Sequence, residues 1–269
     1  MQKIFFSMAT SLLLLTACST EEQADDLFNK AVEANEKIEN LEVDMVINQQ
    51  VSGDNIPSDV SEENSKSLDG VFPTTTTSTT KLQIEPLVLH QTIQVMGTPI
   101  EMYYSEQGLF TQKMNEDTWY KIDSDELGLL SQRMDEIRSQ TPDKQLDNFK
   151  EYLDEFSYEE HEDRYVLHLN ASDLNIEKLL REQLGTSMLE ELFTDEMMEA
   201  IAINQLNYEI TLDKSTYYVS SISTELDMTI TDNGEETSIS QKIDRTYTKY
   251  NELEDLKVPE EIITDAEPF

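Results

Sequence analysis

Between Leu27 and Leu41 the apolar residues Leu27, Ala31, Ala34, Ile38 and Leu41 return at steps of three and four, the spacing of one helix face. From Leu41 the step shortens to two. Leu41, Val43, Met45, Ile47 and Val51 alternate with Glu42, Asp44, Asn48 and Gln50, so the pattern passes from a helix directly into a strand with one buried face. Residues 52–73 have no period and are acidic and turn-rich, which predicts a loop whose part 54–73 is flexible. The run Thr74 to Thr80 reads as a polar strand, because β-branched Thr suits a pleated surface and the run leads into Leu82 and Ile84.

Strand signals follow at short spacing over 87–96, 100–105, 109–114 and 118–122, with turns at Gly97-Thr98-Pro99 and near Gly108. Connections this short cannot carry a parallel crossover, so the strands form an antiparallel meander. Helical periods take over in the middle. Ser124 caps a helix presenting Leu127, Leu130, Met134 and Ile137, and Thr141-Pro142 opens another that carries Leu146, Phe149 and Leu153. A hairpin of 156–160 and 164–170 turns at Glu162-Asp163. Ser172 starts a helix with Ile176, Leu179, Leu180 and Leu184, and a further amphipathic helix is expected over about 187–201. The last third alternates again over 204–213, 217–231 and 236–250, with Asn233-Gly234 as a hairpin turn, and 258–269 reads as an acidic tail. The predicted class is α+β, a single domain over 26–269 with helices gathered on one face of an antiparallel sheet.

The N-terminus adds a location. Lys3 precedes the mostly apolar stretch Ile4 to Leu15, then small Thr16 and Ala17, then Cys18, the one cysteine of the chain. Leu15-Thr16-Ala17-Cys18 resembles the lipobox of bacterial lipoproteins, in which the cysteine thiol takes a diacylglyceryl group and the signal, here residues 1–17, is cut off before it. The resemblance implies membrane anchoring through lipidated Cys18, with two or more acyl chains giving a stable hold that one does not. Residues 18–25 then form a tether of at most ~25 Å when fully extended.

Composition narrows the chemistry. Among 269 residues, 56 Asp and Glu stand against 19 Lys and Arg, a net charge of −37, which argues against binding nucleic acid or an anionic lipid surface. A single Cys excludes an intramolecular disulfide and cysteine-based metal clusters. His90, His161 and His168 are the three histidines, and they lack an HExxH spacing. No G-x-S-x-G elbow, Walker loop or G-x-G-x-x-G occurs. Acidic runs such as Asp123-Ser124-Asp125-Glu126 and Asp195-Glu196 fall at helix starts, where the helix dipole favours negative charge. The expectation is a protein without cofactor, metal or catalytic activity.

What remains is apolar. Aromatic and Met residues cluster on strands, and a curved sheet crossed by helices on its concave face would enclose an apolar cavity for a lipid or other hydrophobic ligand. Its candidate lining is Met45, Ile47, Ile93, Val95, Met102, Tyr104, Phe110, Tyr208 and Ile210.

The lipobox, the helix leading into the alternating strand Leu41 to Val51, the region Met102-Tyr103-Tyr104, Gly108-Leu109-Phe110 and Trp119-Tyr120-Lys121, and the closing Val258-Pro259-Glu260-Glu261-Ile262 together resemble uncharacterised Gram-positive lipoproteins related to the LolA and LppX/LprG superfamily. The resemblance implies a half-barrel of antiparallel strands packed on helices, at the outer face of the cell membrane, with a hydrophobic cavity that carries lipids or lipoproteins. Cys18 is the functional residue it transfers. Two readings stay open. One is a ligand-binding lipoprotein; the other is an envelope interaction or sensor module with a closed core, whose acidic surface meets a basic protein partner.

Overall fold

A computed structural model of the chain describes residues 20–53, 74–95, 97–122, 138, 141–171, 200–232 and 234–269. The lipobox with Cys18, the loop 54–73, the helix expected after Ser124, the helix expected from Ser172 and the helix expected over about 187–201 up to residue 199 lie outside the described residues; Ala200 and Ile201, expected at the end of that last helix, are instead a turn and the first residue of a strand.

The first helical period forms α1, Thr20–Asn35. Leu27, Phe28, Ala31 and Val32 are its buried face, while Ile38 and Leu41, which continue the spacing, are buried beyond its end. Asn35 is what stops and docks it. Its amide donates to the carbonyls of Ala31 at 2.7 Å and Tyr217 at 3.1 Å, and its side-chain oxygen accepts from the Val219 N–H at 3.3 Å. One buried polar side chain therefore ties the helix end to a turn near the other end of the chain.

The strands are β1 (Asn40–Gly53), β2 (Thr74–Gln83), β3 (Val88–Val95), β4 (Thr98–Ser105), β5 (Gly108–Gln112), β6 (Trp119–Ile122), β7 (Phe156–Glu160), β8 (Arg164–Asn170), β9 (Ile201–Asp213), β10 (Val219–Asp232), β11 (Glu235–Thr248) and β12 (Glu267–Pro268). They make one open, curved sheet in the order β12-β6-β5-β4-β3-β2-β1-β11-β10-β9-β8-β7. Every neighbouring pair is antiparallel except β12 with β6. Two meanders thus meet at β1, whose two edges take β2 and β11.

Several strand ends differ from the sequence pattern by one to three residues, β9 beginning at Ile201 and not 204, and two boundaries have clear local causes. The strand expected from residue 217 begins at Val219, because Tyr217 sits at φ 61° in a turn that Asp213 organises by accepting the N–H groups of Ser215 and Thr216 at 2.9 Å each. The helix expected through Leu153 is α2, Pro142–Asp147, followed by a 3-10 turn, Lys150–Glu155, since Phe149 N–H bonds to the Leu146 carbonyl three residues back. Gly108, at φ 128°, makes the β4–β5 turn, and a Cβ there would lie 3.1 Å from Lys121 Cε.

The acidic tail also differs from expectation. Val258-Pro259 leads into α3, Glu260–Asp265, and Val258 and Ile262 bury against Phe110 in a small second core. Pro259 and two glutamates suit a helix start, and the two apolar side chains give the segment something to bury.

Alternation gives the sheet two unlike faces. On one lie Leu41, Val43, Met45 and Ile47 with their cross-strand partners, and α1, α2 and the 3-10 turn pack against this apolar face in one core with Leu82, Leu89, Leu167, Leu206 and Ile210. Glu42, Asp44, Asn48, Thr79, Glu209, Glu225, Lys242 and Asp244 occupy the other, polar face. α1, α2 and the 3-10 turn therefore sit on the apolar side, as a half-buried sheet requires, whereas α3 packs on Phe110 of the opposite face.

Candidate functional site

The apolar face is built of cross-strand rows, and the rows are not alike. The row Leu82, Leu41 and Leu89 is closed, each side chain buried. The same holds across β8 to β10, where Leu167, Leu169, Leu206, Ile210 and Ile222 are buried beneath the helices. Phe149 fills this end: its ring meets Tyr208 edge-on at 4.9 Å and Phe156 at 5.6 Å.

Further along β1 the packing changes. Met45 faces Arg245 and Ser78, and Ile47 faces Ile243 and Thr76. Met45, Ile47, Val51, Ile93, Ile239 and Ile243 are all half-buried and lie outside the packed core. A β-sheet row of large apolar side chains left partly in water costs roughly 25 cal/mol for each Å² that a partner would cover. This end of the face is the candidate site.

Set against the expected lining, Met45, Ile47 and Ile93 lie on this half-buried end. Met102 and Tyr104 share the face but pack against the filled core. Val95 holds the register position opposite Thr76, in the row of Ile47. Tyr208 and Ile210 share the face too, yet they are core at 4% and 0% exposure. Phe110 is a correction. It pairs with Tyr103 and Lys121 on the opposite face and is fully buried under Val258 and Ile262, so it cannot line a cavity on the apolar side.

Burial sets the state of the tyrosines. Tyr247 is pushed up to about 12 by burial, with the Arg245 charge pulling weakly the other way, and burial likewise raises Tyr208 and Tyr250. All three are neutral hydroxyls near pH 7. Tyr250 donates to the Val219 carbonyl, whereas the Tyr247 hydroxyl and the Ser78 hydroxyl have no hydrogen-bond partner among the described residues.

Two grooves of the polar face are lined by described residues. One, about 500 Å³, runs over β8 to β11 past His168, Glu209, Ser223, Glu225, Lys242 and Asp244. Its groups are already occupied with one another: the Lys242 ammonium meets Glu225 at 2.9 Å, and the Ser223 hydroxyl donates to Asp244 at 2.7 Å. The other, about 600 Å³, lies between β4 to β6 and α3, where Tyr103 and Trp119 are bordered by Glu101, Asp117, Glu261 and Asp265. Among the described residues no group of three or more His, Cys, Asp or Glu side chains could hold a metal ion.

Several comparisons bear on this chain. The model of a "Family of unknown function (DUF6612)" matches residues 23–267. No curated protein matches. Among solved structures, the chain is similar to LprF from Mycobacterium bovis, at 10% identity and a TM-score of 0.40, over 90% of this chain and 99% of that one. It is similar as well to a DUF1329 family protein from Desulfovibrio piger, at 10% identity and a TM-score of 0.26, over 91% of this chain and 98% of that one. At these scores neither neighbour says what this chain binds. With nearly its whole length matched by the family model, the chain belongs to the family of unknown function DUF6612.

Proposed function

We propose that this protein is a non-catalytic extracytoplasmic lipoprotein, held at the outer face of the cell membrane by lipidated Cys18, whose apolar sheet face binds a lipid or other hydrophobic ligand. The observation that carries the binding half of this reading is the contrast along one face. Leu41, Leu82 and Ile210 are buried in the core, whereas Met45, Ile47 and Ile243 stay half-buried beside it. Large apolar side chains in a contiguous patch favour an apolar occupant, which removes them from water without a reaction at any nucleophile. The anchoring half rests on Leu15-Thr16-Ala17-Cys18. The domain over 26–269 would work close to the lipid surface, because the tether is short.

Phenylnaphthylamine, a neutral probe that fluoresces in apolar surroundings, tests the binding half. The purified full chain is expected to give a saturable signal with an affinity of about micromolar. A response that rises linearly up to the probe's solubility limit would rule the reading out. For the anchor, Cys18→Ala is expected to move the protein from the membrane fraction to the medium, and unchanged membrane retention of that variant would refute lipidation.

A second reading, an interaction module for a basic envelope partner, is favoured by the groove beside α3. There Glu101, Asp117, Glu261 and Asp265 surround two aromatic rings. A partner held this way would come off at high salt.

A further inference from the structure

Arg245 occupies an unusual place. In the register of β11 it lies opposite Met45 on one side and Ile222 on the other, with Ile243 and Tyr247 two residues away along its own strand. It therefore belongs to the apolar face. The other charged residues at positions of this face in β1 to β11, Glu160, Asp232 and Glu235, are at strand ends, so among the described residues Arg245 is the charge in the interior of the apolar face.

Its surroundings do not neutralise it. The side chain is half-buried, and among the described residues it makes no hydrogen bond or ion pair. On β11 itself Lys242 meets Glu225 at 2.9 Å, and just past the strand ends Lys214 meets Glu160 at 2.5 Å and Lys249 meets Glu42 at 2.8 Å. A guanidinium drawn out of water onto an apolar surface is costly unless an anion joins it, and its planar fork suits the paired oxygens of a carboxylate or phosphate. Among the described residues, the hydroxyls of Ser78 opposite Met45 and of Tyr247 beside Arg245 on the same face also lack partners, and both residues are more than nine-tenths buried. On β1, β2 and β11 the row containing Arg245, Met45 and Ser78 lies between buried Leu41, Leu82 and Tyr247 on one side and half-buried Ile47, Thr76 and Ile243 on the other.

We propose that Arg245 anchors the headgroup of an anionic acyl amphiphile, its guanidinium gripping the carboxylate or phosphate while the acyl chain covers Met45, Ile47 and Ile243. This rests on the ligand-binding reading above and gives it a chemical class. It runs against the overall charge: a protein at −37 repels anions in general, so a preference for an anionic ligand has to come from a local positive group.

Displacement of phenylnaphthylamine from the full chain tests this with four amphiphiles of equal chain length: oleate, oleyl phosphate, oleyl alcohol and oleylamine. Oleate or oleyl phosphate is expected to displace the probe at about tenfold or more lower concentration than oleyl alcohol, and whichever of the two is stronger identifies the headgroup oxyanion. Arg245→Met should erase that preference and leave oleyl alcohol unchanged, while Arg245→Lys, which keeps the charge, should retain most of it. Equal displacement by oleate, oleyl phosphate and oleyl alcohol in the unaltered chain, or discrimination that survives Arg245→Met, overturns the proposal. The headgroup series on the unaltered chain decides the matter even if the Met variant fails to fold. Absence of any probe or alcohol binding is a different result, which removes the ligand-binding reading itself.

Discussion

Phe149→Ala is expected to lower the free energy of unfolding by about 3–5 kcal/mol. Phe149 has no exposed surface, and it joins the helical pieces to the sheet through edge-on contacts with Tyr208 and Phe156. Truncation removes the contacts of a whole ring and leaves a void that Leu146, Leu169 and Tyr208, all in the same core, fill only in part. Urea unfolding followed by circular dichroism measures it. A loss under about 1 kcal/mol would mean that this end of the apolar face is loosely filled, contrary to its burial. The variant should change probe affinity much less than stability, because Phe149 sits at the sealed end.

The opposite pattern is expected for Ile47→Gln with Ile243→Gln. These two are direct cross-strand partners on β1 and β11, both half-buried, with Gln49 and Gln241 already paired one step along on the same face. The exchange keeps strand geometry and places amides where amides are tolerated, so unfolding should shift by less than about 1.5 kcal/mol. Binding should suffer far more. If each isoleucine gives up about 1 kcal/mol of burial against the ligand, phenylnaphthylamine affinity falls about tenfold or more. Unaltered affinity in a folded double variant would place the probe elsewhere.

Much of this architecture was legible because alternation is a local signal. The period of two from Leu41 to Val51 marks β1 and its apolar side without any knowledge of the partner strands. The Thr74 to Thr80 run behaves the same way, since β-branched chemistry and the following Leu82 define a strand before its neighbours are known. Short connections fix the antiparallel meander from β2 to β6.

What eluded the sequence depends on segments far apart in the chain. Leu109 and Phe110 are adjacent and both apolar, so alternation alone cannot decide which points to the main core. The answer comes from Val258 and Ile262, which arrive from the C-terminal segment and give Phe110 a separate core on the polar side. Tyr208 and Ile210 were assignable to the apolar face but not to its sealed end, which is set by where Phe149 and α1 land. Arg245 was readable in principle. Ile239, Gln241, Ile243, Arg245 and Tyr247 step by two, and the charge falls on the apolar parity of that series.

On the proposed reading, the half-buried rows of the apolar face hold the acyl part of a ligand. Photolabelling of the full chain with a diazirine-bearing fatty acid, read by peptide mass spectrometry, tests it most directly. Labels are expected on β1 and β11, at and around Met45, Ile47 and Ile243, with competition by unlabelled oleate. Labels confined to the polar face around His168 and Lys242 or to the groove beside α3, or labelling that oleate does not reduce, would contradict it.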